Sequence, residues 1–148
     1  MKSPRKILSL AAVFLILILI QLAPVERTNP PIEKEISVPG NVMGILRKAC
    51  YDCHSNRTNW PWYSSIAPAS WLLVSDVQEG REELNFTTWN RYSAKKLATL
   101  PKKIWEEVQE GEMPPLPYRI MHPEARLSAE EKELLRDWAS NTLTSTAP

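Results

Sequence analysis

The pentapeptide Cys50-Tyr51-Asp52-Cys53-His54 decides how the rest of this 148-residue chain is organised. It contains both cysteines of the chain and one of its two histidines. Two thiols three positions apart lie on one turn of a helix, and the next residue continues that turn. The motif therefore brings two sulfur atoms and an imidazole within reach of one and the same ligand.

The spacing C-x-x-C-H is the attachment signature of c-type haem. The thiols of Cys50 and Cys53 would form thioether bonds to the two vinyl groups of one porphyrin, and the His54 imidazole would coordinate the iron. The motif predicts one covalently bound haem c, with Cys50 and Cys53 as attachment points and His54 as the proximal ligand.

Three other uses of the cysteine pair are open. A thioredoxin-like dithiol needs a βαβ context, which the flanking sequence lacks. A zinc site needs four ligands, and His122 and carboxylates are the spare candidates. A disulfide between residues three positions apart closes too small a loop to stabilise much.

A six-coordinate iron needs a second axial ligand, and Met113 is the predicted one. It lies in residues 111–118 (GEMPPLPY), where three prolines stiffen the backbone around the thioether. Met113 follows His54 by 59 residues, which is enough chain to wrap around a haem. Met121, His122 and Met43 are the competing candidates, and an open sixth position is the remaining alternative.

The N-terminus predicts the compartment. Lys2, Arg5 and Lys6 precede an apolar run over residues 7–22, a pattern typical of export. The run is nearly long enough to span a bilayer, and Pro24 makes the following residues a poor cleavage site. We therefore expect residues 1–23 to be a retained single-pass anchor, with a cleaved signal peptide as the alternative. The basic end stays in the cytoplasm, and the remainder of the chain lies on the periplasmic side of the cytoplasmic membrane.

Composition divides the remaining chain into three parts. Residues 24–39 are polar and proline-rich, which predicts a semi-stiff linker. Residues 40–143 form the predicted haem domain, and residues 144–148 a disordered tail. The 18 basic and 17 acidic residues balance to a net charge of +1, which argues against nucleic-acid binding.

Apolar periodicity predicts an all-α domain without strands. One helix leads into Cys50, a second begins at Pro68 and ends at Gly80, and a third ends at Gly111. Pro101 either kinks that third helix or starts a new one. A capping box at residues 128–131 (SAEE) opens the last helix. The side chains expected to be buried on the first and last helices are Val42, Ile45, Leu46, Ala49, Leu134, Leu135 and Trp138.

These motifs carry a resemblance to the haem-binding domain family of bacterial exported proteins, and more distantly to class I cytochrome c. The matching segments are residues 50–58 (CYDCHSNRT), 60–64 (WPWYS), 66–71 (IAPASW), 111–115 (GEMPP) and 122–128 (HPEARLS). The resemblance covers about residues 40–141. It implies covalent haem c in a small helical domain wrapped around the cofactor, with Met113 as distal ligand. It also implies that the first and last helices of the domain pack against each other.

Two side-chain roles around the haem are weaker expectations. Arg57 is a candidate propionate partner, because a guanidinium matches a carboxylate, and a solvated loop arginine is the alternative. Trp60, Trp62 and Trp71 follow the motif closely and either contact the porphyrin or fill the core.

The predicted function is single-electron transfer by a membrane-tethered carrier rather than an enzyme. The expected partners are redox proteins that are membrane-bound or exported, together with the cytoplasmic membrane itself. The alternative is a haem-based sensor or peroxidase-associated domain, in which the sixth ligand is absent or displaceable.

Overall fold

The computed structural model describes residues 4–145, and the regular structure in this part of the chain is helical. No strand forms there, and one isolated backbone bridge joins Lys34 to Thr88. The all-α class is therefore confirmed. The helices are α1 (Pro4–Leu19), α2 (Gly40–Ala49), α3 (Tyr51–His54), α4 (Ala69–Glu83), α5 (Ala94–Glu110), α6 (Leu116–Met121) and α7 (Ala129–Ser145).

Helix α1 stands apart from the domain and is exposed along its length. With the short 3₁₀ turn that follows it, it includes an 18-residue stretch, Arg5–Leu22, that is long and apolar enough to cross a membrane. An apolar helix that buries none of its side chains within the protein needs another apolar environment.

The core of the domain lies between α2, α5 and α7. Helix α7 packs along α5 and also contacts α2, so the first and last helices of the domain meet as expected. Leu135 is fully buried there, whereas Leu134 is 39% exposed and points away, contrary to the expectation for it. The register of α7 turns Leu135 and Ala139, four residues apart, inward together. The buried cluster comprises Ile36, Val42, Ile45, Leu46, Tyr51, Phe86, Ile104, Val108 and Leu135.

Local signals fix several helix ends. The Ser128 hydroxyl accepts the Glu131 N–H (3.2 Å), and the Glu131 carboxylate accepts the Ser128 N–H (2.9 Å), which confirms the capping box. Gly111 ends α5 in the left-handed conformation (φ 83°). Pro101 lies within α5, which is continuous through it.

The predicted end of α4 at Gly80 is wrong. Helix α4 continues through Gly80 to Glu83. A glycine inside a helix usually weakens it, so its presence here needs another physical reason. That reason is the close approach of α3, described below.

Residues 24–39 contain no helix, and both halves of the segment are hydrogen-bonded to the domain. The side chain of Ile36 is buried in the core, and its N–H donates to the Phe86 carbonyl (2.7 Å). Arg81 on α4 donates to the carbonyl of Thr28 and to the side chain of Asn29, both at 2.9 Å. Of the expected tail, residues 144 and 145 continue α7, and residues 146–148 lie outside the described part of the chain.

Candidate functional site

The Cys50–His54 motif consists of Cys50, which follows α2, and the single helical turn of α3. Cys50 (φ −127°, ψ −32°) separates α2 from α3, and its carbonyl accepts the N–H groups of Cys53 (3.3 Å) and His54 (2.9 Å). This turn places both cysteines and the histidine on one side of the backbone bend, as the spacing predicts.

Helix α4 packs directly against this turn at Gly80. A Cβ atom at that position would come within 2.8 Å of the Cys53 carbonyl oxygen and 3.1 Å of the Cys53 Cβ. Because the nearest obstacle is backbone, it cannot move aside as a flexible side chain would. Glycine at position 80 is therefore what allows α4 to lie this close to the motif.

The same approach orients the His54 ring. Its Nδ1 lies 2.8 Å from the carbonyl oxygen of Gly80 and 3.1 Å from that of Leu84. Both partners are acceptors, so Nδ1 carries the proton and donates, while Nε2 makes no hydrogen bond within the described residues. Burial lowers the pKa of the imidazole, which favours the neutral form. A neutral ring with Nδ1–H held by a carbonyl presents the Nε2 lone pair to a metal.

A cavity of about 430 Å³ opens in front of the turn. Its volume is in the ~300–1,000 Å³ range of small-molecule sites. Cys50, Cys53, His54 and Met113 all line it, so the structure brings together residues that are up to 63 positions apart. The lining away from these four is mostly apolar and includes Ala49, Leu84, Phe86, Leu100, Ile104, Val108, Pro114 and Pro115.

Met113 reaches the cavity from a loop that is held at its two ends. At the first end, Gly111 turns the chain away from α5, and the Met113 N–H donates to the Glu107 carbonyl (3.1 Å). At the second end, the Tyr118 hydroxyl donates to Asp52 in the motif (2.6 Å). Burial and this hydrogen bond raise the pKa of Tyr118, so it remains a donor. The Met113 side chain itself is 36% exposed.

The competing axial candidates lie elsewhere. His122 uses both ring nitrogens, with Nε2 2.6 Å from the Tyr63 hydroxyl and Nδ1 3.0 Å from Glu124. Met121 is exposed and does not line the cavity, and Met43 accepts a hydrogen bond from the Tyr51 hydroxyl (3.4 Å). Of the four sequence candidates, Met113 is the one that lines the cavity.

The two cysteines are partly buried and form no disulfide. Burial raises the pKa of Cys50 to about 12 and that of Cys53 to about 11. A dithiol oxidoreductase needs the opposite shift, because the thiolate is the reactive form. No group of three or more His, Cys, Asp or Glu side chains suited to a metal ion occurs in residues 4–145, so the zinc alternative has no ligand set there.

Arg57 does not line the cavity, and its propionate contact stays a prediction. Its guanidinium is 3.7 Å from Glu35, and its side chain borders a separate polar pocket beside Tyr51 and His122. The Arg57 N–H donates to the Ser55 hydroxyl (2.9 Å). The cations that line the cavity are Lys96 and Lys103.

Sequence reasoning missed three residues of this site. Phe86 and Tyr118 supply the aromatic lining, whereas Trp60, Trp62 and Trp71, for which porphyrin contact and core packing were both open, do not line the cavity. The third is Gly80. The sequence identifies it as a helix-weakening residue, but does not show that Cys53 of α3 packs against it.

The cavity suits a haem in three respects. It presents an unpaired imidazole nitrogen, it carries two thiols beside that nitrogen, and its apolar walls match a flat, largely apolar macrocycle.

Comparison with known families gives the same result independently. Residues 15–141 match the model of the haem-binding domain family. The chain therefore belongs to this family and is a haem-binding protein. The match begins within α1 and includes residues 24–39, in agreement with the packing of that segment against the domain. No curated protein and no solved structure matches the chain.

Proposed function

We propose that this chain is a membrane-anchored, c-type cytochrome-like electron carrier on the periplasmic side of the cytoplasmic membrane. The observation that supports this most directly is that one cavity is lined by both motif thiols, an imidazole with a free Nε2, and a thioether. Haem, when bound, supplies one-electron chemistry between two oxidation states of its iron.

The residues of the chain would hold and tune that group. Cys50 and Cys53 would hold it covalently through their thiols. His54 would supply one iron ligand, with its ring orientation set by the Gly80 and Leu84 carbonyls. Met113 would supply the other, and a thioether ligand favours a raised reduction potential. Lys96 and Lys103, the cations on the cavity wall, would be propionate partners beside or in place of Arg57.

Retention of α1 would keep the carrier at the membrane. The apolar stretch Arg5–Leu22 supports a single span, and the positive residues before it set the orientation. The partners would be redox enzymes in that membrane or exported proteins that reach it.

The first test is the intact mass of the full-length protein from cells with a working cytochrome c maturation system. We expect the mass of the complete chain plus one haem that survives denaturation. The variants Cys50→Ala and Cys53→Ala should each retain at most one thioether bond, and the double variant should retain no covalent haem. Apoprotein mass in the wild type would overturn covalent attachment, and a shortened chain would overturn the retained anchor.

The distal ligand is tested by Met113→Ala, with Met121→Ala as the matched control. Loss of the far-red sulfur-to-iron band in the Met113 variant, and its persistence in the Met121 variant, would support Met113. The reverse pattern would move the ligand to Met121.

A second candidate function is gas or peroxide sensing, and the partial exposure of Met113 on a loop favours it. A loop held only at its ends is the kind of segment that opens locally. Carbon monoxide binding separates the two functions. The carrier is expected to bind it slowly in the reduced wild type and rapidly in Met113→Ala, whereas equally rapid binding by both proteins would favour the sensor.

A further inference from the structure

The 3₁₀ turn that follows α1 is hydrogen-bonded to the haem domain through Gln21. The side-chain amide of Gln21 donates to the Ala67 carbonyl (3.1 Å), and its oxygen accepts the Ala67 N–H (2.9 Å). The same amide nitrogen also donates to the Leu17 carbonyl (2.9 Å) within α1. Ala67 is therefore held beside the point where the apolar stretch Arg5–Leu22 ends.

Large apolar side chains are exposed on both sides of Ala67. Trp62 is 74% exposed and Leu72 is 68% exposed, and Ile66 and Trp71 are also exposed. All four lie within five residues of Ala67 along the chain, on the 3₁₀ turn Trp62–Ser65, directly after it, and on the first turn of α4. We name these four side chains the Trp62 face.

The surrounding sequence is uncharged. Residues 58–75 contain no Asp, Glu, Lys or Arg, in a chain whose residues are 24% charged. Arg27, which follows the anchor, donates to the hydroxyls of Ser64 and Ser65. An apolar surface with a cation at its edge, close to the end of a membrane helix, matches the chemistry of a lipid interface.

Tryptophan is the residue that best suits this position. Its ring is apolar enough to leave water, and its N–H prefers the polar headgroup level to the hydrocarbon core. Within the described residues, α1 contacts no other helix of the domain, so α1 does not cover the Trp62 face. The bilayer that would hold α1 lies directly beside this face.

We propose that the Trp62 face rests on the lipid headgroups of the membrane that holds α1. The haem domain is then laid on the bilayer in one orientation, and residues 24–39 do not act as a free tether. This inference depends on the retained anchor of the proposed function, and it goes further in fixing which side of the domain meets the membrane.

Photo-crosslinking of the full-length protein in vesicles of phosphatidylethanolamine and phosphatidylglycerol tests the proposal. Trp62→p-benzoylphenylalanine and Leu72→p-benzoylphenylalanine probe the face. Leu134→p-benzoylphenylalanine is the matched control, because Leu134 is as exposed as Trp71 but lies on α7, which contacts neither α4 nor the 3₁₀ turn Trp62–Ser65. Leu15→p-benzoylphenylalanine reports the anchor itself, and circular dichroism checks that each variant is folded.

We expect a several-fold excess of lipid adducts at positions 62 and 72 over position 134, with strong adducts at position 15. Adducts at position 15 combined with background levels at 62 and 72 would overturn the lipid face while leaving the anchor intact. No adducts at position 15 would overturn the anchor and the face together. Crosslinks from position 62 to a second copy of the chain or to another protein would also overturn the proposal, since the face would then be a protein interface.

The role of Gln21 in orientation is tested in the same assay. Gln21→Ala should reduce lipid adducts at position 62 severalfold, because it removes both bonds to Ala67. Ser9→Ala is the control, because the Ser9 hydroxyl bonds only within α1, to the Arg5 carbonyl. Equal effects of the two substitutions would show that Gln21 does not orient the domain.

Discussion

In the proposed haem site, the cavity wall that holds His54 (the proximal wall) and the wall that holds Met113 (the distal wall) are built by different means. On the proximal wall, α4 lies against the motif so closely that a Cβ at Gly80 would clash with backbone, and two carbonyls fix the His54 ring. On the distal wall, Met113 lies on a loop that is held at Glu107 and through Tyr118, with its side chain partly exposed.

The difference separates two properties that a haem protein must have. The position of His54 is set by packed helices, so a substitution that disturbs it should also lower the stability of the fold. The position of Met113 is set by a short loop, so under the proposed ligation it could change while the fold remains intact. The following substitutions test that separation, from the largest expected effect to the smallest.

Phe86→Ala should cause the largest loss of stability. Phe86 is buried, its ring stacks on Tyr51 with centroids 5.4 Å apart, and its N–H donates to the His54 carbonyl (2.8 Å). Truncating a buried aromatic ring costs about 3–5 kcal/mol. Urea unfolding of the full-length protein in detergent measures this change, with Trp62→Ala as an exposed aromatic control expected to cost under about 0.5 kcal/mol. Similar midpoint shifts for the two variants would contradict the packed proximal wall.

Gly80→Ala should lower both stability and haem attachment. The added methyl group meets the Cys53 carbonyl, and overpacking of this kind costs about 1–3 kcal/mol. Gly44→Ala is the matched control, since a Cβ at that helical position meets nothing within 4 Å. The control should gain up to about 1 kcal/mol from helix propensity. Thermal midpoint and haem staining after denaturing electrophoresis are the measurements, and an unimpaired Gly80→Ala protein would refute the close contact.

Gly111→Ala should affect the distal wall more than the proximal one. The backbone of Gly111 is left-handed (φ 83°), and a non-glycine residue there costs about 1–2 kcal/mol. The strain falls at the start of the Met113 loop, so we expect faster carbon monoxide binding with covalent haem retained. Gly111→Asn should restore most of the wild-type rate, because asparagine tolerates this conformation. Loss of haem attachment instead would show that the two walls are not independent.

Glu131→Gln should have the smallest effect, because it touches neither wall. The hydrogen bond from the Lys48 ammonium is the main cause of the lowered pKa of Glu131. The glutamine side chain of the variant would still accept the Ser128 N–H through its amide oxygen. A partly exposed pair of this kind contributes about 1 kcal/mol. Because the folded-state pKa is lowered, the contribution is present above the ordinary carboxyl value of about 4.3 and is lost as pH falls through the folded-state value. The wild type and the variant should therefore differ slightly in thermal midpoint at pH 7 and converge in acid; a difference that grows in acid would contradict this sign.

Features of the site that depend on neighbours in the sequence could be predicted. The turn at the motif, the capping box at Ser128 and the helix end at Gly111 all involve backbone groups a few residues apart. Met113 could be proposed because its chemistry and its stiff loop are both local. The position of the Arg57 side chain beside Glu35, which is 22 residues away, could not be predicted in this way.

Features that depend on the approach of distant segments could not be predicted. Gly80 was expected to end a helix because nothing near it in the sequence shows that Cys53 will lie against it. Residues 24–39 have the composition of a linker, and only their backbone bonds to residues 86–89 show that they belong to the domain. Leu134 and Leu135 are equivalent in composition, and the position of α2 and α5 decides which of them is buried.

The amino-acid sequence by itself determined the helical class, the apolar N-terminal run, and the presence of two thiols, an imidazole and a thioether suited to one haem. Hydrogen bonds and side-chain spacings that repeat within a few residues are enough to specify these features. The tertiary structure alone decided that Met113 rather than His122 reaches the cavity, and that Ala67 meets the end of α1. Those outcomes depend on which surfaces fit together after the chain has closed loops of tens of residues, and no local pattern encodes that fit.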